Sequence, residues 1–422
     1  MNIKAVTRSC YIFSSTTSTL QKHSLLYYSY PRPTFTSTRS VGKMSTTSLN
    51  NSSHNDDDNE STSLLPISFI KNEYPLIDVD CNLMHSDLSS LLLLSSSSPT
   101  LTSSNYYEKS KSKYLNILHH PSIKLSNIKG MFTPSSTMEE GEILHNVLLS
   151  SNDISRNGID IKMSIGIHPY HTNDNNINYN ESCIRQQMKA MFEKDTKYKY
   201  ITCIGETGLD YSNGFPEKEY QLPLFELQLN FAKEYKLPLF VHERLAFDDT
   251  ITLIDKVFPK EQQQQQQQSD KPMIIIHCFT GKKEELEEYI RRGYYISLSG
   301  YILKSGDGPS EINDCLKEGL IPLDKLMIET DAPYMGFKQC RETFYDIESV
   351  MNKDFQSLKS KQKKSLIKGI YPNVPSALPK VLEHVTNMLN EGRNEREEDP
   401  LPIQYVAECL FDNSKRFFGF DL

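Results

Sequence analysis

From Met1 to Asn55 the chain carries no aspartate and no glutamate, while Lys4, Arg8, Lys22, Arg32, Arg39 and Lys43 are scattered among many serines and threonines. Organelle transit peptides are composed in this way. Mitochondrial import is one expectation for this leader. The other is a Ser/Thr/Asn-rich tail without an address, with Met44 as an internal start and the protein in the cytoplasm or nucleus. In both cases residues 1–73, including the acidic linker Asp56–Thr62, stand apart from the fold, which is expected to run from Tyr74 to Leu422.

Other absences narrow the class. No apolar run approaches the roughly 18 residues a membrane span needs, so no membrane partner is expected. The 8 cysteines include no paired C-x-x-C spacing, which argues against a zinc ribbon or a disulfide scaffold and fits a reducing compartment. A formal charge of −8 excludes a uniformly basic coat for nucleic acid, although a local basic strip can still meet phosphates. With 37% apolar residues the chain is somewhat poor for a compact globule, consistent with an unpacked leader.

Beyond the leader, short apolar or β-branched runs alternate with helical patterns, the rhythm of a parallel α/β sheet. Strands are expected at Leu76–Val79, Ile128–Thr133, Ile161–Ile167, Tyr200–Ile204, Leu237–Val241, Met273–Ile276, Tyr294–Leu298 and Leu326–Ile328. Apolar positions at helical spacing (Leu222, Phe225, Leu229, Ala232) predict a helix over Glu217–Lys236, and Glu284–Arg291 and Pro375–Asn390 read similarly. Eight such units favour a (β/α)8 TIM barrel over a doubly wound sheet, and Asp78–Asn82 offers no glycine-rich phosphate turn after the first strand. Insertions are expected near 86–110 (Ser-rich), 261–270 (the run Gln262–Gln268) and 335–372 (with Lys-rich Lys353–Lys368). The first and last follow strands and are expected on the active-site face, whereas the glutamine run is expected on the opposite one.

Polar residues stand at strand ends, where a barrel places its chemistry: His168, Glu206, His242, His277, and the pair Glu329 and Asp331. Singly each is weak, because a lone histidine after an apolar run is more often a hydrogen-bonded structural residue. Jointly, Glu206, His242, His277 and Asp331 supply mixed nitrogen and oxygen donors for a divalent ion (Mg²⁺, Mn²⁺ or Zn²⁺; one or two ions) that leaves positions open for water. Such an ion generates a nucleophile near neutral pH and polarises a substrate.

At these residues the sequence resembles the TatD family of deoxyribonucleases. The segments Ile204-Gly-Glu-Thr-Gly-Leu-Asp210, Val241-His242-Glu-Arg244-Leu-Ala246, His277-Cys-Phe-Thr-Gly281, Glu329-Thr-Asp331-Ala-Pro333 and Gly166-Ile-His168-Pro169 match five ordered family motifs, over a stretch from about Leu76 to Phe418. The resemblance implies a TIM barrel of the metallo-dependent hydrolase type, and a metal-dependent exonuclease acting on DNA, single- or double-stranded, with RNA as a further substrate. It also implies roles: Glu206 as bridging carboxylate, His242 and His277 as metal ligands, Asp331 as ligand and base toward the attacking water, His168 and Arg244 beside the scissile phosphate. Glu329 is read as either a support to the ligands or a purely structural carboxylate. Two departures stand out. Asp80 and Asn82 occupy the positions of the family's H-x-H, which puts its first metal position in doubt, and Pro372-Asn373-Val374-Pro375 lacks the arginine of R-N-x-P. An amidohydrolase acting on a cyclic amide or ester, or a binding protein that kept the barrel without turnover, are the competing readings.

Overall fold

A computed structural model describes residues 72–91, 113–173, 180–196, 199–259, 272–345 and 353–422. The leader, residues 92–104 of the Ser-rich segment and the glutamine run lie outside the described residues. Eight parallel strands follow one another in chain order around a single sheet. They are β1 (Leu76–Asp78), β2 (Ile128–Thr133), β3 (Asp160–Ile165), β4 (Ile201–Asp210), β5 (Leu239–Arg244), β6 (Ile274–Ile276), β7 (Tyr295–Leu298) and β8 (Leu326–Ile328). The edges meet where Cys81 bridges Ala332 in parallel, with Asp331 N–H donating to the Asp80 carbonyl at 2.8 Å and Asn82 N–H to that of Ala332 at 2.9 Å. The molecule is therefore a TIM-type barrel.

An inner cluster draws residues from every strand except β3 (Ile77, Phe132, Cys203, Phe240, Ile275, Tyr295 and Met327 among them) and adds Phe417, Phe418 and Phe420 from the chain's end. The C-terminal helix, Ile403–Phe418, delivers the first two of those rings: Phe417 meets Tyr295, the first residue of β7, at 5.2 Å, and Phe418 meets Phe132 at 4.2 Å. The floor of the barrel is thus aromatic, and the opposite, C-terminal end of the strands carries the polar groups. The layers touch where Phe240 stacks on His277 at 4.6 Å.

Two strands run further than their apolar composition suggests. β4 continues through the glycine motif to Asp210 instead of ending at Ile204, and β5 continues to Arg244 instead of Val241. Glu206, His242 and Arg244 consequently lie within strands and not after them. Apolar content marks only the half of a strand that faces a dry core, so the polar half escapes the pattern. The pairing of β4 with β5 also shifts register between Ile204 and Thr207. An irregularity of this kind changes which side chains face inward. Cys203 points into the inner cluster below the shift, while above it Glu206 faces His242 of β5 and His277, the residue after β6.

Glycine is required here for a specific reason. Gly208 has φ of +146°, and a Cβ built on it would stand 1.8 Å from the His242 carbonyl oxygen; Gly205, at φ +151°, would place one 2.4 Å from that of Phe240. The two glycines let β4 press against the backbone of β5 on either side of Val241.

The helix expected at Glu217–Lys236 is observed as Lys218–Tyr235, with Phe225, Leu229 and Ala232 buried as its spacing requires. It also buries two glutamines. Gln228 pairs with both backbone groups of Ile167 (2.8 and 3.2 Å), and Gln221 with both of Asp210 (2.8 and 2.7 Å). One helix face thereby pins the ends of β3 and β4. The Lys-rich segment forms two helices, Lys353–Ser357 and Ser360–Lys368; Leu358 between them and Leu366 and Ile367 of the second pack onto the core.

Candidate metal centre

Four donor atoms converge at the mouth. Glu206 Oε1 lies 3.0 Å from His242 Nδ1, 2.8 Å from His277 Nε2 and 3.3 Å from His168 Nε2, and His242 Nδ1 lies 3.3 Å from each of the other two ring nitrogens. Ligands about 2.0–2.1 Å from a tetrahedral ion are themselves about 3.3 Å apart, so the cluster needs to open by only a few tenths of an ångström to hold one.

Which histidines can ligate follows from what their other nitrogens do. His242 presents Nε2 to Asp210 Oδ2 at 2.8 Å, which puts that ring proton on Nε2 and leaves Nδ1 as the donor to an ion. His277 turns Nδ1 toward Asp80 Oδ2 (3.2 Å) and Glu329 Oε1 (3.6 Å) and presents Nε2 to Glu206. His168 is different. Its Nδ1 accepts the backbone N–H of Tyr170 at 3.1 Å, so in the neutral ring the proton sits on Nε2 and points at Glu206. His168 is a hydrogen-bond donor to whatever oxygen occupies the mouth, which agrees with a substrate contact and not with ligation, although its nitrogen falls in the same cluster.

A second group, Asp80, His277 and Glu329, lies behind the first and is fully buried. Asp80 Oδ2, His277 Nδ1 and Glu329 Oε1 make no hydrogen bond of good geometry, while Glu329 Oε2 accepts from Ser297 Oγ at 2.6 Å. Glu329 therefore sits behind a ligand, with a structural bond to β7 as well. Asp331 follows β8 in a left-handed conformation (φ +51°); Asn82 donates to its Oδ1 at 3.2 Å and spans to Asp80 Oδ1 at 3.4 Å. Asn82 thus fills the place of a family histidine as an amide bridge between two carboxylates. Thr330 ties β8 to Asp78 through N–H and Oγ (2.8 and 2.6 Å), and Asn373 donates to the Thr330 carbonyl at 2.8 Å. The asparagine of Pro372-Asn373-Val374-Pro375 is accordingly a loop anchor.

The electrostatics call for positive charge. Burial drives the Asp78 carboxyl up to about 8, that of Asp331 up to about 7, and that of Asp80 well above its usual range. Burial would do the same to Glu206, but the charges of His168 and His277 and hydrogen bonds with His168 and His242 hold it well below. Burial opposes charge on His277, yet Glu206 and Asp80 beside it raise its pKa well above the ordinary value. Among the described residues, the ion-pair partners of Asp80, Glu206, Asp210 and Glu329 are imidazoles. Buried carboxylates balanced only by histidines fit one or two divalent cations.

Arg244 ends β5 on the rim, exposed and outside hydrogen-bonding reach of the cluster. Lys304, after β7, was not anticipated. Its ammonium has the Met335 sulfur at 3.7 Å and the Tyr301 ring at 5.8 Å, with no oxygen partner among the described residues, and it feels the charges of Asp331 and Arg244. Asp210 was also missed as a support. Its signal was present in the spacing Glu206, Gly208, Asp210, which shares one strand face once β4 is extended.

Comparison with known proteins agrees with this geometry. A model described as TatD related DNase matches residues 108–419. A protein of Rahnella sp. named 3'-5' ssDNA/RNA exonuclease TatD is 30% identical over 254 residues, 60% of this chain and 75% of that one. Its namesake from Citrobacter rodentium is 28% identical over 257 residues, 61% and 76% of the two chains. The fold is shared with a TatD family hydrolase from Entamoeba histolytica (TM-score 0.56, 19% identity, 81% and 97% covered). It is shared also with an uncharacterized amidohydrolase from Saccharomyces cerevisiae (TM-score 0.54, 19% identity, 82% and 100% covered). With five ordered motifs, the barrel and the donor cluster in place, the chain belongs to the TatD-related DNase family and is a metal-dependent hydrolase.

Proposed function

We propose that this protein hydrolyses phosphodiester bonds of single-stranded DNA from a strand end, with RNA as a further substrate, and that Glu206, His242, His277 and Asp331 hold the ion or ions. The observation that carries this reading is the convergence of Glu206 Oε1 with imidazole nitrogens at 2.8 to 3.3 Å. A bound divalent cation supplies a Lewis acid for the phosphoryl oxygen and lowers the pKa of water beside it. The protein supplies the rest. Asp331, with its carboxyl raised by burial and one oxygen held by Asn82, orients the attacking water and takes its proton. His168 offers Nε2–H to a phosphate oxygen, and Arg244 gives a second cationic contact from the rim. Single-strand preference and attack from the 3' end are carried over from the names of the relatives.

End-labelled single-stranded DNA, duplex DNA and RNA, each incubated with Mg²⁺, Mn²⁺ or Zn²⁺, test the proposal. Stepwise release of mononucleotides from single strands is expected. Absence of nucleotide release with every ion, or turnover of cyclic amides instead, would contradict it.

A further inference from the structure

A wall of aromatic rings stands over the histidine cluster and does not belong to the hydrophobic core. Phe215, in the loop after β4, has its ring centroid 6.3 Å from that of His242 with the planes 22° apart, and 6.0 Å from that of His168. Tyr170, in the turn after β3, meets Phe215 edge-on at 5.4 Å and is 36% exposed. Neither residue packs against either core cluster. Phe215 is half-buried among imidazoles, at the end of a turn in which its N–H donates to the Ser212 carbonyl at 3.2 Å and Asn213 and Gly214 face solvent. A phenylalanine kept only for packing gains most by joining the core, since burial against apolar neighbours is what stabilises it. This one forgoes that gain and covers the rings of His242 and His168 instead.

What such a wall recognises is set by its neighbours. It is planar, apolar and sequence-blind, and it lies one ring away from the atoms that face the scissile phosphate. The group that a nucleic acid strand carries beside each phosphate is a flat base with a π-face. Aromatic side chains hold bases in this manner without regard to sequence. We propose that Phe215, buttressed by Tyr170, is the stacking platform for the base next to the scissile phosphodiester. This inference rests on the phosphodiesterase reading and adds the residue that selects an unpaired base: a base inside a duplex is stacked and paired already, so it reaches this wall only from a single strand or a frayed end.

The chain contains no tryptophan, which makes Phe215→Trp a reporter without background. In the presence of Mg²⁺ or Mn²⁺, and with Asp331→Asn added to keep the strand intact, its emission is expected to be quenched by a single-stranded oligodeoxynucleotide. A strand of the same length and charge built from abasic residues should leave the emission unchanged. In kinetics, Phe215→Ala in the otherwise native enzyme should raise KM for the normal strand about 5- to 150-fold, the equivalent of one base stack. It should leave the abasic strand cleaved as the native enzyme cleaves it, and Phe215→Trp should restore the normal KM. Equal losses on normal and abasic strands, or emission indifferent to saturating normal strand, would overturn the platform. A native enzyme that cleaves neither strand would overturn the phosphodiesterase reading itself.

Discussion

Behind each imidazole proposed to hold the ion stands a carboxylate: Asp210 behind His242, and Asp80 with Glu329 behind His277. The bond from His242 fixes which of its nitrogens carries the proton and aims the other at the ion, and the charges behind His277 favour a proton on its Nδ1. Asp210→Asn retains the shape but can present its amide N–H₂ to His242 Nε2 and reverse the tautomer; Glu329→Gln weakens the field on His277. Each is expected to lower affinity for Mn²⁺ or Zn²⁺ about 10- to 100-fold by calorimetric titration, with an unchanged circular dichroism spectrum. Affinity equal to the native protein in both would make these carboxylates structural only. At this scale the sequence was informative where chemistry is local: Glu206, His242 and His277 carry their motifs around them and are brought together in the fold, whereas Asp331 lies outside both groups of clustered donor atoms. It was silent on Asp80, because a residue known only as the absence of a histidine says nothing about which ring nitrogen it will face across the barrel.

Among the elements, β4 does the most to shape the site, and its course was the least legible. Its upper half, Glu206–Asp210, has no apolar periodicity because one face meets the metal centre, and the register shift against β5 breaks the alternation by which strands are read. The strands β2 and β8, buried throughout except at Lys129, were legible to the residue. The loop after β7 carries a separate prediction. Lys304 lacks an oxygen partner among the described residues and shares the rim with Arg244, so it is expected to meet a backbone phosphate of the bound strand. Lys304→Gln should reduce the salt dependence of single-strand binding by about 0.7 units in the log–log slope, with little change in kcat. The Lys-rich helix Ser360–Lys368 makes a competing claim: Lys363 is engaged with the Gln356 carbonyl at 2.9 Å, while Lys361 and Lys364 are exposed. Changing Lys361, Lys363 and Lys364 together to Gln should flatten the slope further if that helix borders the strand; an unchanged slope leaves it a solvated surface.

For the molecule as a whole, closure of the barrel depends on tertiary ties as well as on strand pairing. Asp195, buried at the end of the helix Glu181–Lys194, accepts from His145 Nε2 (3.0 Å) and from the N–H groups of Tyr200 (3.1 Å) and Ile201 (2.9 Å) at the start of β4. Burial would raise its carboxyl, but these donors hold it below the usual carboxylate range. A depressed folded pKa contributes stability above the unfolded value of about 3.9 and loses it as pH falls through the lower folded value. Asp195→Ala should therefore cost about 2–4 kcal/mol in denaturant unfolding at pH 7, and the gap to the native protein should narrow below about pH 4. The leader belongs to this scale too. Residues 1–55 fused to a fluorescent protein are expected to direct it to mitochondria, and a diffuse signal would leave them a tail without an address. The central claim is that one strand-end cluster makes the barrel a metal-dependent nuclease. Its most direct test is nucleotide release from single-stranded DNA by metal-stripped protein, before and after Mg²⁺, Mn²⁺ or Zn²⁺ is restored, beside Asp331→Ala and His277→Ala with normal circular dichroism. Activity that returns with the ion in the native protein, and in neither variant, is the predicted result; near-native turnover by either variant, or by stripped protein without added ion, would contradict it.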